Sequence, residues 1–335
     1  MTSPPLIVEA RAGQRLGMSA TRFLRDYWQK RPLLVRGGFP DFAPGLEPDD
    51  LAGLACLDGA LARIVVHAGA VRAVPGQVRR NGGRWKLLTG PFDESLFARL
   101  PAARWTLLVQ DVDKWHPATA ELLGAFGFIP SWRLDDVMVS YATDGGGVGA
   151  HVDQYDVFLI QGLGRRRWAI DARPQPNVDF RDDVPLKLLR EFRPSHEWTL
   201  APGDLLYLPP GVPHDGIAVG ECMTFSVGMR APAIAELRLD LAARLAESAP
   251  ESARFADPDL TPARSAGEID PAAFKRARRA LGHFADGLDE DALADWFGGF
   301  ITRYRSAETA VPRRRPLRAA AVAARLPRAR LERDP

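Results

Sequence analysis

Between residues 137 and 230, apolar runs of strand length alternate with Gly- and Pro-rich turns. The runs cover 137–141, 155–161, 166–170, 197–200, 204–208 and 222–229. No helix-length pattern separates them. A doubly wound parallel sheet is therefore excluded, because its strands need helical crossovers. What remains is a mainly β core, an antiparallel barrel or jelly roll. Gly162-Leu163-Gly164 and Ala201-Pro202-Gly203-Asp204 are read as turns between its strands.

The flanks are helical. Ser19 is placed to cap a helix over 19–30 whose apolar face carries Phe23, Leu24, Tyr27 and Trp28, and Pro32 ends it before a short strand at 33–35. A second helix is read over 48–61, an extended segment over 64–74, a hairpin turn at Asn81-Gly82 and a buried strand at 105–110. After Met229, Ile234, Leu237, Leu241 and Leu245 recur at helical spacing. A linker over 252–265 leads to a helical module with an apolar stripe of Leu293, Trp296, Phe297 and Phe300, read as core or as an interface.

Charge and cysteine usage narrow the setting. The 335 residues carry a net charge of +2, and the two cysteines are too few for a disulfide framework or a thiolate metal site. No secretory leader is visible and no apolar run reaches the roughly 18 residues of a membrane span, so the expectation is a cytoplasmic protein. The segment 311–335 holds eight arginines against two acids, leaving the rest of the chain mildly acidic. Such a tail suits RNA or a ribosomal surface, or is a plain solubilising extension.

The chemistry concentrates at His151-Val152-Asp153, with His214 following 61 residues after Asp153. On a strand, residues two apart point the same way, so His151 and Asp153 put an imidazole and a carboxylate into one barrel interior. His214 follows a buried strand that an antiparallel barrel returns beside the first. Two histidines and one acid can occupy one face of an octahedron, the facial triad of non-haem Fe(II) oxygenases. By alternation, Arg166 points inward with Trp168 and Ile170. An inward guanidinium needs an anion, either a barrel acid or the distal carboxylate of a 2-oxo dicarboxylate cosubstrate whose other end chelates the metal. Ser140 is placed to donate to the same carboxylate, or is plainly structural. Asp144 at the rim is a candidate partner for a cationic substrate. Tyr155 is read as lining the substrate channel or packing the barrel. His67, His116, His196 and His283 have no ligand-like neighbours at useful spacing.

Three segments carry a family resemblance: GGGVGAHVDQYDVFLIQGLGRRRW at 145–168, WTLLVQDVDKW at 105–115 and GDLLYLPPGVPHDG at 203–216. They resemble the JmjC-type ribosomal oxygenases of the cupin superfamily, most nearly the bacterial branch that hydroxylates arginine in 50S ribosomal protein L16. The resemblance covers most of residues 15–232. It implies a double-stranded β-helix over 1–232, a helical dimerisation region and linker over 233–255, and a winged-helix-like domain over 256–310. The basic segment 311–335 stands outside the shared pattern. It further implies iron ligands at His151, Asp153 and His214, and 2-oxoglutarate held by Arg166 with Ser140 in support. O2 is the second cosubstrate, succinate and CO2 are released, and the assembly is a homodimer. Related eukaryotic members act on histidine, so a different side chain, or free arginine, stays open as target. A non-catalytic ribosome- or RNA-binding module is the rival of another class, and it gives no reason to keep the triad and the inward arginine together.

Overall fold

The computed structural model describes residues 6–68, 79–80, 84–174, 176, 178–248, 254–258, 260, 271–281 and 289–303. The chain divides into two units, Met1–Ala231 and Pro232–Pro335.

The first unit opens with β1 (Ile7–Glu9), α1 (Ala20–Asp26), β2 (Leu33–Arg36), α2 (Pro48–Leu54), β3 (Ala62–Ala68), β4 (Arg79–Arg80) and β5 (Arg84–Thr89). Next come β6 (Trp105–Val109), α3 (Val112–Trp115), α4 (Pro117–Glu121) and β7 (Leu134–Ala142). The jelly-roll strands follow: β8 (Val157–Ile170), β9 (Glu191–Phe192), β10 (His196–Leu200), β11 (Leu205–Leu208) and β12 (His214–Met229). One sheet runs β1-β2-β11-β8-β12-β7-β6-β3-β5, with β10 also on β8, and β4 pairs with β9 apart from it. Every pairing in it is antiparallel except β1 with β2.

Strand alternation sorts the side chains into two buried sets. Leu33, Val35, Phe158, Ile160, Leu205 and Tyr207 face the large core with Phe23 and Tyr27. Leu34, Val157, Leu159, Leu206 and Leu208 face the barrel interior with Trp168, Ile170 and Leu200. A sheet buried on both faces needs such continuous apolar strands. The Ser19 hydroxyl accepts the Arg22 N–H at 3.3 Å, which starts α1 and delivers Phe23 to within about 6 Å of the rings of Tyr27, Phe158 and Tyr207. Each such buried aromatic contributes about 1.5–3 kcal/mol.

The ribbon of β8 and β12 differs from the sequence expectation. Gly162-Leu163-Gly164 is no turn: the runs at 155–161 and 166–170 are arms of one 14-residue strand. β12 likewise reaches back to His214. The bend is absorbed at Gly164, whose φ is +61°, where the pairing register with β12 shifts between Val219 and Cys222. A Cβ there would collide with the Glu221 carbonyl, so the bend is open only to glycine. The helix over 48–61 is also shorter than its pattern, ending at Leu54.

The second unit holds α5 (Ile234–Ser248), α6 (Pro271–Leu281) and α7 (Glu290–Thr302). Asp240 on α5 accepts the Trp296 indole N–H at 2.8 Å and an Arg303 N–H at 2.6 Å. Trp296, Phe297 and Phe300 are half-buried, while Leu293 stays exposed. The turn at Asn81-Gly82, His283, most of the linker and the segment 311–335 lie outside the described residues, as does much of 256–310.

Candidate active site

His151 and His214 meet as an isolated antiparallel bridge at the mouth of the barrel. Each backbone N–H donates to the other's carbonyl, at 3.0 and 2.9 Å, and the ring centroids lie 4.2 Å apart. The side-chain Nδ1 of His151 lies 2.8 Å from the Gly149 carbonyl, and that of His214 lies 2.9 Å from the Val212 carbonyl. A carbonyl only accepts, so both imidazoles carry their proton on Nδ1 and present the Nε2 lone pair. Those Nε2 atoms face Asp153, at 3.9 Å from His151 and 3.6 Å from His214. One ligand atom from each residue lies within 4.8 Å of the others, a spacing that a single cation fits. Burial, then His151 alongside, pushes His214 down to about 4, which keeps the imidazole neutral as a metal ligand must be. Asp153 reaches the cluster from a loop past the bridge, rather than from a continuous strand with His151.

The cluster opens into a cavity of about 470 Å³. Its wall is supplied by inward positions of several strands, including Thr106, Asp136, Ser140, Leu159, Arg166, Trp168 and Ser226. Arg166 is 4% exposed and forms no ion pair with any described residue. The internal salt bridge open to it on the sequence is therefore not made. One guanidinium nitrogen donates to the Ser140 hydroxyl at 3.0 Å and to Thr224 at 3.2 Å, and the group lies 5.4 Å from the Trp168 ring. Its Nε has no hydrogen-bond partner, nor do Trp168 Nε1 and Thr106 Oγ1. A buried cation with an orphaned N–H, beside further unpartnered polar atoms, fits a carboxylate ligand. The donor set around Asp153 and the histidines likewise fits a divalent cation of borderline hardness.

Of the two outlying candidates, Tyr155 lines the cavity and Asp144 does not. The Asp144 carboxylate accepts the Gly220 N–H at 2.8 Å and does not line the cavity. That bond ties the exposed Asp144 side chain to β12 at Gly220. Tyr155 does line the cavity while 42% exposed, and burial of its phenol with Asp153 nearby pushes it up, so it stays protonated. Sequence reasoning missed Thr224 and Asp136. Thr224 stands directly across from Ser140 in the β12–β7 pairing. Asp136 shares the inward face of β7 with Met138 and Ser140, a period-two signal that was available.

A family model described as JmjC domain matches residues 121–237. A second, described as AraC-like ligand binding domain, matches 194–313 and shares β10, β11 and β12 with the first. The chain is 36% identical over 288 residues to the ribosomal protein uL16 3-hydroxylase of Escherichia coli (strain K12), covering 84% of this chain and 71% of that one. A solved structure of YcfD, a ribosomal oxygenase from Escherichia coli, superimposes with a TM-score of 0.70 at 34% identity, covering 93% of this chain and 78% of that one. Another, of YcfD in complex with cobalt and 2-oxoglutarate, gives 0.71 at 34% identity with the same coverage. The sheet-dominated JmjC/cupin fold expected from the sequence is the fold of this chain.

Proposed function

Because this chain belongs to the JmjC-domain ribosomal oxygenases, we propose that it is an Fe(II)- and 2-oxoglutarate-dependent hydroxylase of an arginine β-carbon in ribosomal protein uL16. The observation that carries this reading is Arg166, a buried guanidinium without a carboxylate partner among the described residues, facing the same cavity as His151, Asp153 and His214. A structural cluster would have no use for that arrangement, whereas a dicarboxylate reaching from metal to guanidinium needs both ends.

The roles follow from the geometry. His151, Asp153 and His214 would hold the iron, each imidazole fixed by its Nδ1–H bond to a backbone carbonyl. When bound, iron with 2-oxoglutarate and O2 supplies the oxidising power, and succinate and CO2 are the by-products. Arg166 would donate to the distal carboxylate, with Ser140 and Thr224 holding its guanidinium in place. Trp168 and Leu159 keep water from that end. With Asp153 committed to the metal, Asp136, whose carboxylate also accepts the Asp111 N–H at 3.0 Å, is the other carboxylate on the cavity wall among the described residues and the one that would answer a substrate guanidinium. Tyr155 lines the entry with its phenol. No side chain has to move a proton in the bond-breaking step, so selectivity rests on placing one C–H bond. A misplacement of about 1 Å costs on the order of a hundredfold.

The same reading makes the protein a cytoplasmic homodimer. No helix among the described residues is long and apolar enough to cross a membrane. Leu239 on α5 is 74% exposed, an apolar side chain suited to contact with a second copy. Sedimentation equilibrium on the full chain giving only monomer would contradict the dimer. The arginine-rich composition of 311–335 suits contact with ribosomal RNA.

The acid at Asp136 favours a guanidinium over a neutral imidazole, and succinate release tests that choice. With Fe(II) and 2-oxoglutarate, a uL16 peptide bearing the arginine should raise succinate formation several-fold, and its Arg→His counterpart should not. Equal stimulation by both would reassign the target. No succinate from either would return the chain to a binding role.

A further inference from the structure

The turn that carries Asp153 and Tyr155 to the cavity is fixed from outside the cavity. Residues 153–156 run from the His151–His214 bridge to the start of β8. At one end the Gly211 N–H donates to the Asp153 carbonyl at 2.8 Å. At the other end stands Asp156, wholly buried and no part of the cavity wall.

Side chains from three separate places converge on the Asp156 carboxylate. The Tyr207 hydroxyl of β11 donates at 2.5 Å, the Gln29 amide just past α1 donates at 2.9 Å, and Arg133 before β7 forms an ion pair at 3.5 Å. The Tyr207 oxygen in turn accepts the Gln29 backbone N–H at 2.8 Å. Gln29 adopts a φ of +54° there, a conformation disfavoured for any residue with a Cβ. The Asp156 carbonyl accepts the Met229 N–H at 2.9 Å, tying the turn to the end of β12 as well. Burial and the adjacent carboxylate push the Tyr207 phenol up, so it remains a donor. An ionised carboxylate, which only accepts, satisfies this set of groups.

We propose that Asp156 is a positioning residue: through the turn 153–156, its buried carboxylate sets where Asp153 and Tyr155 stand, without touching metal or substrate. This rests on the reading of His151, Asp153 and His214 as metal ligands. Partners behind a metal ligand commonly change metal affinity by about 10–100-fold when removed. Asp156→Asn keeps the size of the side chain, loses the charge that pairs with Arg133, and turns an NH2 group toward donors.

The test uses the purified full-length protein, titrated with Co(II) and read by visible absorption. Hydrogen exchange of the metal-free protein is followed in parallel. In Asp156→Asn, Co(II) should bind about tenfold more weakly, and peptides spanning 152–156 should exchange faster than in the unaltered protein. Tyr207→Phe, which keeps the Asp156 charge with its Gln29 amide and Arg133 partners but removes the hydroxyl that also accepts the Gln29 backbone N–H, should move both readings the same way by less, and it carries the test if Asp156→Asn does not fold. Leu51→Ala in α2 should lower the melting temperature and leave Co(II) affinity unchanged. Wild-type Co(II) affinity and wild-type exchange at 152–156 in the Asp156 and Tyr207 variants would overturn the proposal. No Co(II) signal from the unaltered protein would overturn the metal-site reading itself, and this proposal with it.

Discussion

Arg166 is the residue on which the chemistry turns. A guanidinium offers two parallel N–H groups to one carboxylate, and an ammonium does not. Arg166→Lys keeps the charge but loses the fork and the contacts to Ser140 and Thr224. It should raise the KM for 2-oxoglutarate at least tenfold, roughly the 1.5–3 kcal/mol of a charge-assisted hydrogen bond, with a smaller change in kcat. A titration of cosubstrate against succinate checks this, and an unchanged KM would return Arg166 to a structural role. At this scale the sequence was legible wherever one strand sufficed. Alternation along 166–170 put Arg166, Trp168 and Ile170 on one side. It failed where a partner strand decides. Thr224 reaches Arg166 from 58 positions away, and nothing local marks it. Asp144 looked like a rim residue because it precedes the glycine run, but the bend of β12 brings the Gly220 N–H to its carboxylate.

At the scale of elements, the site depends on one bent ribbon. β8 carries Arg166 and Trp168 and β12 carries His214, all on the cavity wall, while Thr224 of β12 accepts from Arg166. Gly164 lets β8 bend without breaking. Gly164→Ala puts a Cβ against the Glu221 carbonyl at a positive φ, and should destabilise the protein by about 1–3 kcal/mol in urea unfolding. An unchanged midpoint would mean that the bend is set elsewhere. The same glycine explains why residues 155–170 read as two short strands where one long strand exists. Gly-x-Gly is a turn signal by composition. Only the continuous pairing of both arms with β12 distinguishes a kink within a strand from a reversal of the chain. The helical flanks were easier to read, because Ser19 and the spacing of Phe23 and Tyr27 are local signals.

For the whole molecule, fold and function were separable. The succession of strands excluded the parallel sheet, and the pattern of His151, Asp153, His214 and Arg166 narrowed the chemistry within the barrel. The target could not be read that way, because it lies in another molecule. What the barrel offers, among the described residues, is a cavity with Asp136 as a carboxylate beyond the metal cluster and Tyr155 on its lining. The central claim therefore meets its most direct test on the substrate. The purified full-length protein is incubated with Fe(II), 2-oxoglutarate, O2 and a peptide covering an arginine loop of its own uL16, and the peptide mass is recorded with fragmentation. The account predicts a gain of one oxygen on the β-carbon of a single arginine, absent when 2-oxoglutarate is withheld. An unmodified peptide in a reaction that still forms succinate, or oxygen on a residue other than arginine, would contradict it.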